Sequence, residues 1–64
     1  MPDPTHDLQL LVVGGGKMGE ALLGGIFASG WARPESVLVV EPVEARRAHL
    51  LERFPGVRVA GELP

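Results

Sequence analysis

Short apolar runs alternate with longer segments of helical periodicity along this chain. Leu8–Val13 is nearly continuous in Leu and Val, as a strand buried on both faces of a parallel sheet is. Val37–Val40 is a second apolar strand, which ends at Glu41. Val57–Ala60 is a third, shorter run. The segments Lys17–Ser29 and Pro42–Phe54 repeat apolar residues at helical spacing. Strands that alternate with helices imply parallel pairing through right-handed crossovers. The pattern therefore predicts an α/β fold of order β-α-β-α-β.

The first helical segment also predicts which of its faces is buried. Apolar and small residues recur there at i, i+3, i+4, i+7 and i+8, and we expect this face to contact the sheet. Its members are Met18, Ala21, Leu22, Gly25 and Ile26. Gly30 is well placed to end the helix. Pro42 suits the first turn of the second helix.

Glycines are concentrated where the first predicted strand meets the first predicted helix. Gly14, Gly16 and Gly19 have the spacing G-x-G-x-x-G. In that pattern the first glycine permits a tight turn, the second lets the backbone approach a pyrophosphate, and the third lets the helix pack closely on the strand. The N–H groups and dipole of the helix N-terminus then favour the anion. The motif predicts dinucleotide binding; the alternative is that these glycines serve only a tight turn. Gly24 and Gly25 are expected to allow close packing of the helix on the sheet.

An acidic residue at the end of the second predicted strand completes the pattern. Glu41 stands 22 positions after Gly19. Its carboxylate is expected to accept hydrogen bonds from the adenosine ribose, which favours NAD over NADP. The structural alternative is an exposed charge near a helix N-terminus. Arg46 or Arg47 could instead reach a 2′-phosphate, or form a solvated helix face.

The remaining loop residues complete the predicted site. Met18 follows Lys17 where a P-loop requires Ser or Thr, so this is not a P-loop, although Lys17 could still lie near the phosphates. The histidines His6 and His49 have no partner at ligand spacing and are interpreted as solvated surface residues. No catalytic set and no metal cluster is predicted. The predicted cofactor-binding residues are Gly14, Gly16, Lys17, Met18, Gly19 and Glu41.

Composition narrows the function classes. The chain has 64 residues, a formal net charge of −2 and no cysteine, so neither a disulfide nor a thiolate metal site is expected. An acidic chain without a basic run is not expected to bind nucleic acid or an anionic membrane. Its longest apolar run is far shorter than the roughly 20 residues that span a bilayer. The segment before that run has no Lys or Arg, unlike a signal peptide, and we expect a cytoplasmic protein.

The segment VVGGGKMGEALLGGIFASG resembles the N-terminus of pyrroline-5-carboxylate reductase, the last enzyme of proline biosynthesis. That family shows a glycine-rich loop, then Met-x-Glu-Ala-Leu and a glycine shortly after. The matching residues here are Met18, Glu20, Ala21, Leu22 and Gly24 or Gly25. The segments ARPESVLVVEP and RRAHLLERFPGVRV are similar to the family's second strand, second helix and third strand. The resemblance covers about residues 10–60.

The resemblance implies an activity and a cofactor. It implies a reductase that passes hydride from a nicotinamide cofactor, typically NADPH, to the C=N bond of 1-pyrroline-5-carboxylate, which gives proline. Members that prefer NADPH often carry Asn-Arg-Ser or Asn-Arg-Thr after the second strand. Glu41, Pro42 and Val43 stand there instead, which favours NADH or dual use.

The domain organisation follows from the pattern of elements and from the resemblance. We predict a flexible tail at residues 1–7 and a partial dinucleotide-binding domain at residues 8–64, half of a Rossmann-type doubly wound sheet with strand order 3-2-1. The family's substrate site lies C-terminal of position 64, so the chain alone is expected to be inactive. Without a fourth strand, the first strand is an exposed edge, which predicts self-association. The alternatives are a stand-alone nucleotide-binding or interaction module, or a fragment of another NAD(P)-dependent oxidoreductase.

Overall fold

The computed structural model describes residues 8–14 and 16–63, except for the side chain of Met18. The tail predicted at residues 1–7 lies outside the described residues. In chain order the elements are β1 (Leu10–Val13), α1 (Lys17–Ser29), a 3₁₀ turn (Pro34–Ser36), β2 (Val37–Val40), α2 (Glu44–Arg53) and β3 (Arg58–Ala60). No helix in the described ranges is long and apolar enough to cross a membrane.

The three strands form one parallel sheet in the order β1-β2-β3, with β2 in the centre. Leu10 pairs with Val37 at the β1–β2 ladder, and Leu38 pairs with Arg58 at the β2–β3 ladder. Together with the two intervening helices, this confirms the predicted α/β fold, half of a doubly wound sheet with strand order 3-2-1.

The predicted element bounds hold for α1 and β2 and differ elsewhere. Helix α2 begins at Glu44 rather than at Pro42, because Val43 is extended (φ −86°, ψ 116°) and forms the N-cap. The chain uses these two residues to turn from the sheet into the helix. Gly30 ends α1 as predicted, in the left-handed conformation (φ 77°), which glycine adopts without steric cost.

Both helices cover the same face of the sheet. Leu23 of α1 and Leu50 and Phe54 of α2 join one buried cluster with Val37 and Val39 of β2. Side chains of a strand alternate between faces, so these two valines mark the helix-covered face. Burial of each such side chain contributes roughly 1.5–3 kcal/mol.

The buried face of α1 differs from the predicted one. Leu23 is fully buried and Phe27 packs against the core, whereas Leu22 is 55% exposed and Ala21 is exposed. Of the predicted face, Ile26 does pack against the core. Helix α1 is apolar on nearly all sides, so its periodicity fits two neighbouring faces equally well. Only the docking of the helix on the sheet decides between them.

Two glycines of α1 do not have the packing role predicted for them. A Cβ at Gly24 or Gly25 would meet no heavy atom of the described chain within 4 Å. Close packing on the sheet therefore does not require glycine at either position, and nothing in the described chain explains this pair.

Burial on both faces was predicted for β1, but the structure shows it for β2 instead. All four residues of β2 are buried. In β1 burial alternates, and Leu11 and Val13 are 42% and 65% exposed. These two side chains lie on the face opposite the helices, at the edge of the sheet. Continuous apolar sequence is therefore a sound indicator of two-sided burial only for the central strand here.

Candidate functional site

A tight turn joins the end of β1 to the start of α1. Gly14 has φ +81°, a left-handed conformation that favours glycine, and its N–H donates to the carbonyl oxygen of Val40 at 2.9 Å. A Cβ at Gly19 would lie 3.2 Å from the carbonyl oxygen of Gly14, so α1 approaches the turn closely. The first and third glycines of the motif thus have structural reasons that lie within the chain itself.

The middle glycine of the motif, Gly16, is not required by close packing within the described chain. A Cβ at Gly16 would meet no heavy atom of the described chain within 4 Å, and Gly16 lines a pocket. Packing within the chain therefore does not exclude a side chain there. The interpretation that the glycines serve only a tight turn explains Gly14 and Gly19 and leaves Gly16 unexplained.

Helix α1 begins directly after Gly16. Gly16 is the N-cap and has no side chain with which to cap the helix. The N–H of Glu20 donates to the Gly16 carbonyl oxygen at 3.0 Å, and the preceding N–H groups of the first turn have no intrahelical acceptor. Such N–H groups, together with the helix dipole, attract an anion.

The pocket lies where the N-terminus of α1, the end of β2 and one face of α2 meet. Its lining residues are Gly16, Lys17, Glu20, Glu41, Arg46, His49 and Leu50. Its volume is about 210 Å³, below the range of about 300–1,000 Å³ that is usual for sites of drug-sized ligands. It therefore has room for one part of a dinucleotide, such as a ribose with its substituents, rather than for the whole molecule.

The pocket brings together only some of the predicted site residues. Gly16, Lys17 and Glu41 line it. Gly14 and Gly19 belong to the adjoining turn, and Met18 lies in the first turn of α1. The sequence motif thus divides into residues that shape the turn and residues that face the cavity.

Glu41 is a buried carboxylate directly after β2. It is 5% exposed, and its Oε2 accepts a hydrogen bond from the backbone N–H of Val43 at 2.9 Å. The structural alternative was right that Glu41 lies near the N-terminus of α2 and wrong that it is an exposed charge. Arg47 is also held within the chain, because its Nη1 donates to the carbonyl oxygens of Glu41 and Pro42 at 2.8 and 3.0 Å.

Three pocket residues were missed by the sequence interpretation: Glu20, His49 and Leu50. His49 was interpreted as a solvated surface residue without a partner at ligand spacing, and it is indeed 61% exposed, but the prediction did not foresee that its Nε2 lies 2.5 Å from Oε1 of Glu20. Arg46, His49 and Leu50 stand at i, i+3 and i+4 on α2, and Leu50 is buried. That spacing could have identified the face of α2 that turns towards the pocket.

Within residues 8–14 and 16–63, no three His, Cys, Asp or Glu side chains come together as a metal site requires.

The chain matches a known protein family. The model of a family described as NADP oxidoreductase, coenzyme F420-dependent, matches residues 9–62. The matched segment runs from β1 to beyond β3 and includes the glycine turn and all seven pocket residues. No curated protein matches the chain, and no solved structure matches it.

Proposed function

The chain belongs to the family of coenzyme F420-dependent NADP oxidoreductases, and from this we propose that it forms the adenosine- and pyrophosphate-binding part of a reductase of the pyrroline-5-carboxylate reductase type. Its family makes it an NAD(P)-dependent oxidoreductase domain with a nicotinamide dinucleotide as cofactor. The bound nicotinamide supplies the hydride. The residues of this chain bind and orient the cofactor.

The observation that carries the proposal is the open space at Gly16. No atom of the described chain competes for that space, and the uncapped N-terminus of α1 adjoins it. A pyrophosphate beside Gly16 explains both features, because it needs close backbone approach and N–H donors.

Glu41 is the residue that binds the adenosine ribose in this proposal. It lines the same pocket as Gly16, and its carboxylate accepts hydrogen bonds from the adenosine ribose hydroxyls, which favours NADH over NADPH. Lys17 and the first-turn backbone of α1 at Met18 lie beside the pyrophosphate. Gly14 and Gly19 keep the turn and helix in position.

The substrate assignment rests on the resemblance around Glu20. The sequence Met18-Gly19-Glu20-Ala21-Leu22 follows the glycine-rich loop as in pyrroline-5-carboxylate reductases, so we propose that the reaction is the NAD(P)H-dependent reduction of 1-pyrroline-5-carboxylate to proline in the cytoplasm. The chain alone is proposed to bind the cofactor without catalysing the reaction. We further propose that the open edge of β1 pairs with a second copy of the chain.

Cofactor binding is tested by calorimetric titration of the chain with NADH and with ADP-ribose, which lacks the nicotinamide. The variant Gly16→Val fills the space beside the helix N-terminus and should weaken both ligands at least tenfold, or about 1.4 kcal/mol. The matched control is Gly25→Val, which adds the same side chain to open space in the middle of α1 and should leave both affinities unchanged.

Equal affinities for the original chain and Gly16→Val would show that the phosphates do not pass over Gly16. Failure of the original chain to bind either ligand at millimolar concentration would refute the proposed function as a whole. Proline formation from 1-pyrroline-5-carboxylate by the purified chain would contradict the proposal that it is inactive alone.

A further inference from the structure

We infer that Arg47 is the positioning residue of the ribose site, because its guanidinium holds the stretch of backbone that carries the Glu41 carboxylate. The inference rests on the proposed function, in which Glu41 binds the adenosine ribose. Of the two neighbouring arginines on α2, Arg46 lines the described pocket and Arg47, which is half-buried, does not. Arg47 is therefore placed to act through Glu41 and not on the cofactor itself.

The backbone pairing between β2 and β3 extends one residue beyond β2, to Glu41. The N–H of Glu41 donates to the carbonyl oxygen of Ala60 at 2.8 Å. The next residue, Pro42, has no N–H, so it cannot donate to β3. The chain then turns away from the sheet towards α2, which begins at Glu44. An anchor other than the sheet is needed here if the Glu41 side chain is to keep one orientation.

The side chain of Arg47 supplies that anchor. Its Nη1 donates to the carbonyl oxygens of Glu41 and Pro42 at 2.8 and 3.0 Å. Hydrogen bonds from a charged donor are about twice as strong as neutral ones, and the planar guanidinium loses little freedom when it makes them. The carboxylate itself is held as well, because its Oε2 accepts the N–H of Val43 at 2.9 Å. The backbone and the side chain of Glu41 are therefore both tied to the start of α2.

Gly61, which directly follows β3, leaves room for the guanidinium. A Cβ at Gly61 would lie 3.1 Å from Nη1 of Arg47 and 3.6 Å from its Cζ, so a side chain there displaces the nitrogen that makes both hydrogen bonds. The backbone of Gly61 is not in the left-handed region and does not itself require glycine. The close approach of Arg47 gives a reason for this glycine. It also places Arg47 against the ends of two neighbouring strands, β2 and β3.

The test uses ADP and 2′-deoxy-ADP, which share the adenine and the pyrophosphate and differ only in the ribose 2′-hydroxyl. Calorimetric titration of the original chain should show ADP bound about tenfold more tightly. Arg47→Met keeps much of the apolar length of the side chain but removes both hydrogen bonds, and it should lower this affinity ratio about fivefold. Arg47→Lys retains a charged donor and should restore part of the ratio. The matched control is Arg33→Met, which removes the same charge from an exposed residue outside the pocket and should leave the ratio unchanged.

Two further variants separate the positioning of Glu41 from general stabilisation of the fold, which changes both affinities equally. In the background Glu41→Ala, Arg47→Met should have no further effect on the ratio, because both substitutions then act through the same lost hydrogen bond. Gly61→Val keeps Arg47 but displaces its guanidinium, so it should lower the ratio in the same direction as Arg47→Met. This variant tests the inference even where Arg47→Met fails to fold.

Several outcomes would overturn the inference. An unchanged ratio in Arg47→Met, or in Gly61→Val where the first variant does not fold, would overturn it and leave the proposed function standing. A drop in the ratio that persists in the Glu41→Ala background would show that Arg47 does not act through Glu41. Equal affinities of the original chain for the two nucleotides would refute the inference and the ribose role of Glu41, but not pyrophosphate binding. An original chain that binds neither nucleotide would refute the inference together with the proposed function.

Discussion

Glu20 of α1 and His49 of α2 join the two helices at the pocket that both residues line. Oε1 of Glu20 lies 2.5 Å from Nε2 of His49, and the two side chains are 25% and 61% exposed. An ionised carboxylate offers only acceptors, so Nε2 of His49 is the donor. Arg53, one turn further along α2, approaches the same carboxylate oxygen at 3.6 Å. The contact links residues 29 positions apart and fixes the spacing of the helices beside the proposed ribose site.

This contact should have a measurable coupling energy. In a double-mutant cycle with Glu20→Gln and His49→Gln, we expect a coupling energy of about 0.5–1 kcal/mol. This is the upper part of the range for exposed ion pairs, because Glu20 is mostly shielded from water. Urea denaturation gives the free energies of unfolding. The control cycle uses Arg33 and Glu35, which are 3.5 Å apart and mostly exposed, and should give a coupling near zero. A coupling no larger than that of the control would show that the contact does not stabilise the helix pair.

The close approach of α1 to the glycine turn predicts a cost for any side chain at Gly19. In Gly19→Val the added Cβ starts 3.2 Å from a backbone oxygen, so the helix must move, and we expect a loss of about 1–3 kcal/mol in the free energy of unfolding. Gly25→Val changes the helix propensity equally but adds its side chain to open space. Equal urea midpoints for the two variants would contradict close packing at Gly19.

The charge of Glu41 should control the preference for NAD over NADP. Glu41→Gln removes the charge while its side-chain oxygen can still accept the N–H of Val43, so the repulsion of a 2′-phosphate falls without loss of that hydrogen bond. We expect the ratio of NAD⁺ affinity to NADP⁺ affinity to fall about tenfold, or ~1.4 kcal/mol. Glu41→Ser should shift the ratio the same way and also destabilise the fold.

Titration calorimetry with both dinucleotides measures that ratio. The control is Glu44→Gln, which removes the same charge from an exposed residue of α2 outside the pocket. A ratio that stays constant in Glu41→Gln would mean that Glu41 does not face the ribose.

The open edge of β1 should lead to self-association. Among the residues that the structure describes, strand β1 pairs with β2 on one side only, and Leu11 on its uncovered face is 42% exposed. Such an edge can pair with another chain, and a charge on it opposes that pairing. Sedimentation velocity over a range of concentrations should show dimers or larger species for the original chain and mainly monomers for Leu11→Lys.

A matched control separates the edge from general hydrophobic exposure. Leu22 is 55% exposed on α1, so Leu22→Lys should leave the association unchanged. A folded monomer of the original chain at high micromolar concentration would disprove pairing along β1.

Local sequence signals were sufficient for the order of elements and for the glycine turn. Val37–Val40 and Lys17–Ser29 have the bounds that their patterns predict, because a buried central strand and a helix ended by a left-handed glycine are specified by nearby residues. Burial in α1 was not predictable in the same way. Leu22 and Leu23 are adjacent and equally apolar, so only the position of the helix on the sheet selects Leu23.

The pocket residues also divide into those that local sequence predicts and those that only the fold brings together. Gly16 and Glu41 were predicted because fixed spacings from strand ends identify them. His49 was missed because its partner, Glu20, lies on another helix, and nothing in the local sequence of α2 indicates that contact. Arg46 and Arg47 are indistinguishable as neighbouring cations in the sequence. The fold separates them by directing Arg47 to the carbonyl oxygens of Glu41 and Pro42 and leaving Arg46 at the pocket.

The central position of β2 has a consequence for local opening. Its amides lie between two partner strands and all four of its residues are buried, so their hydrogen exchange should require opening of most of the fold, whereas an edge strand such as β1 can open at lower free energy. Glu41 directly follows β2, and the glycine turn directly follows β1. The two halves of the proposed site therefore stand on parts of the sheet that open at different free energies. A dinucleotide bound by both halves would link the less stable strand β1 to the more stable strand β2. Amide exchange in β1 would therefore slow towards the rate of β2.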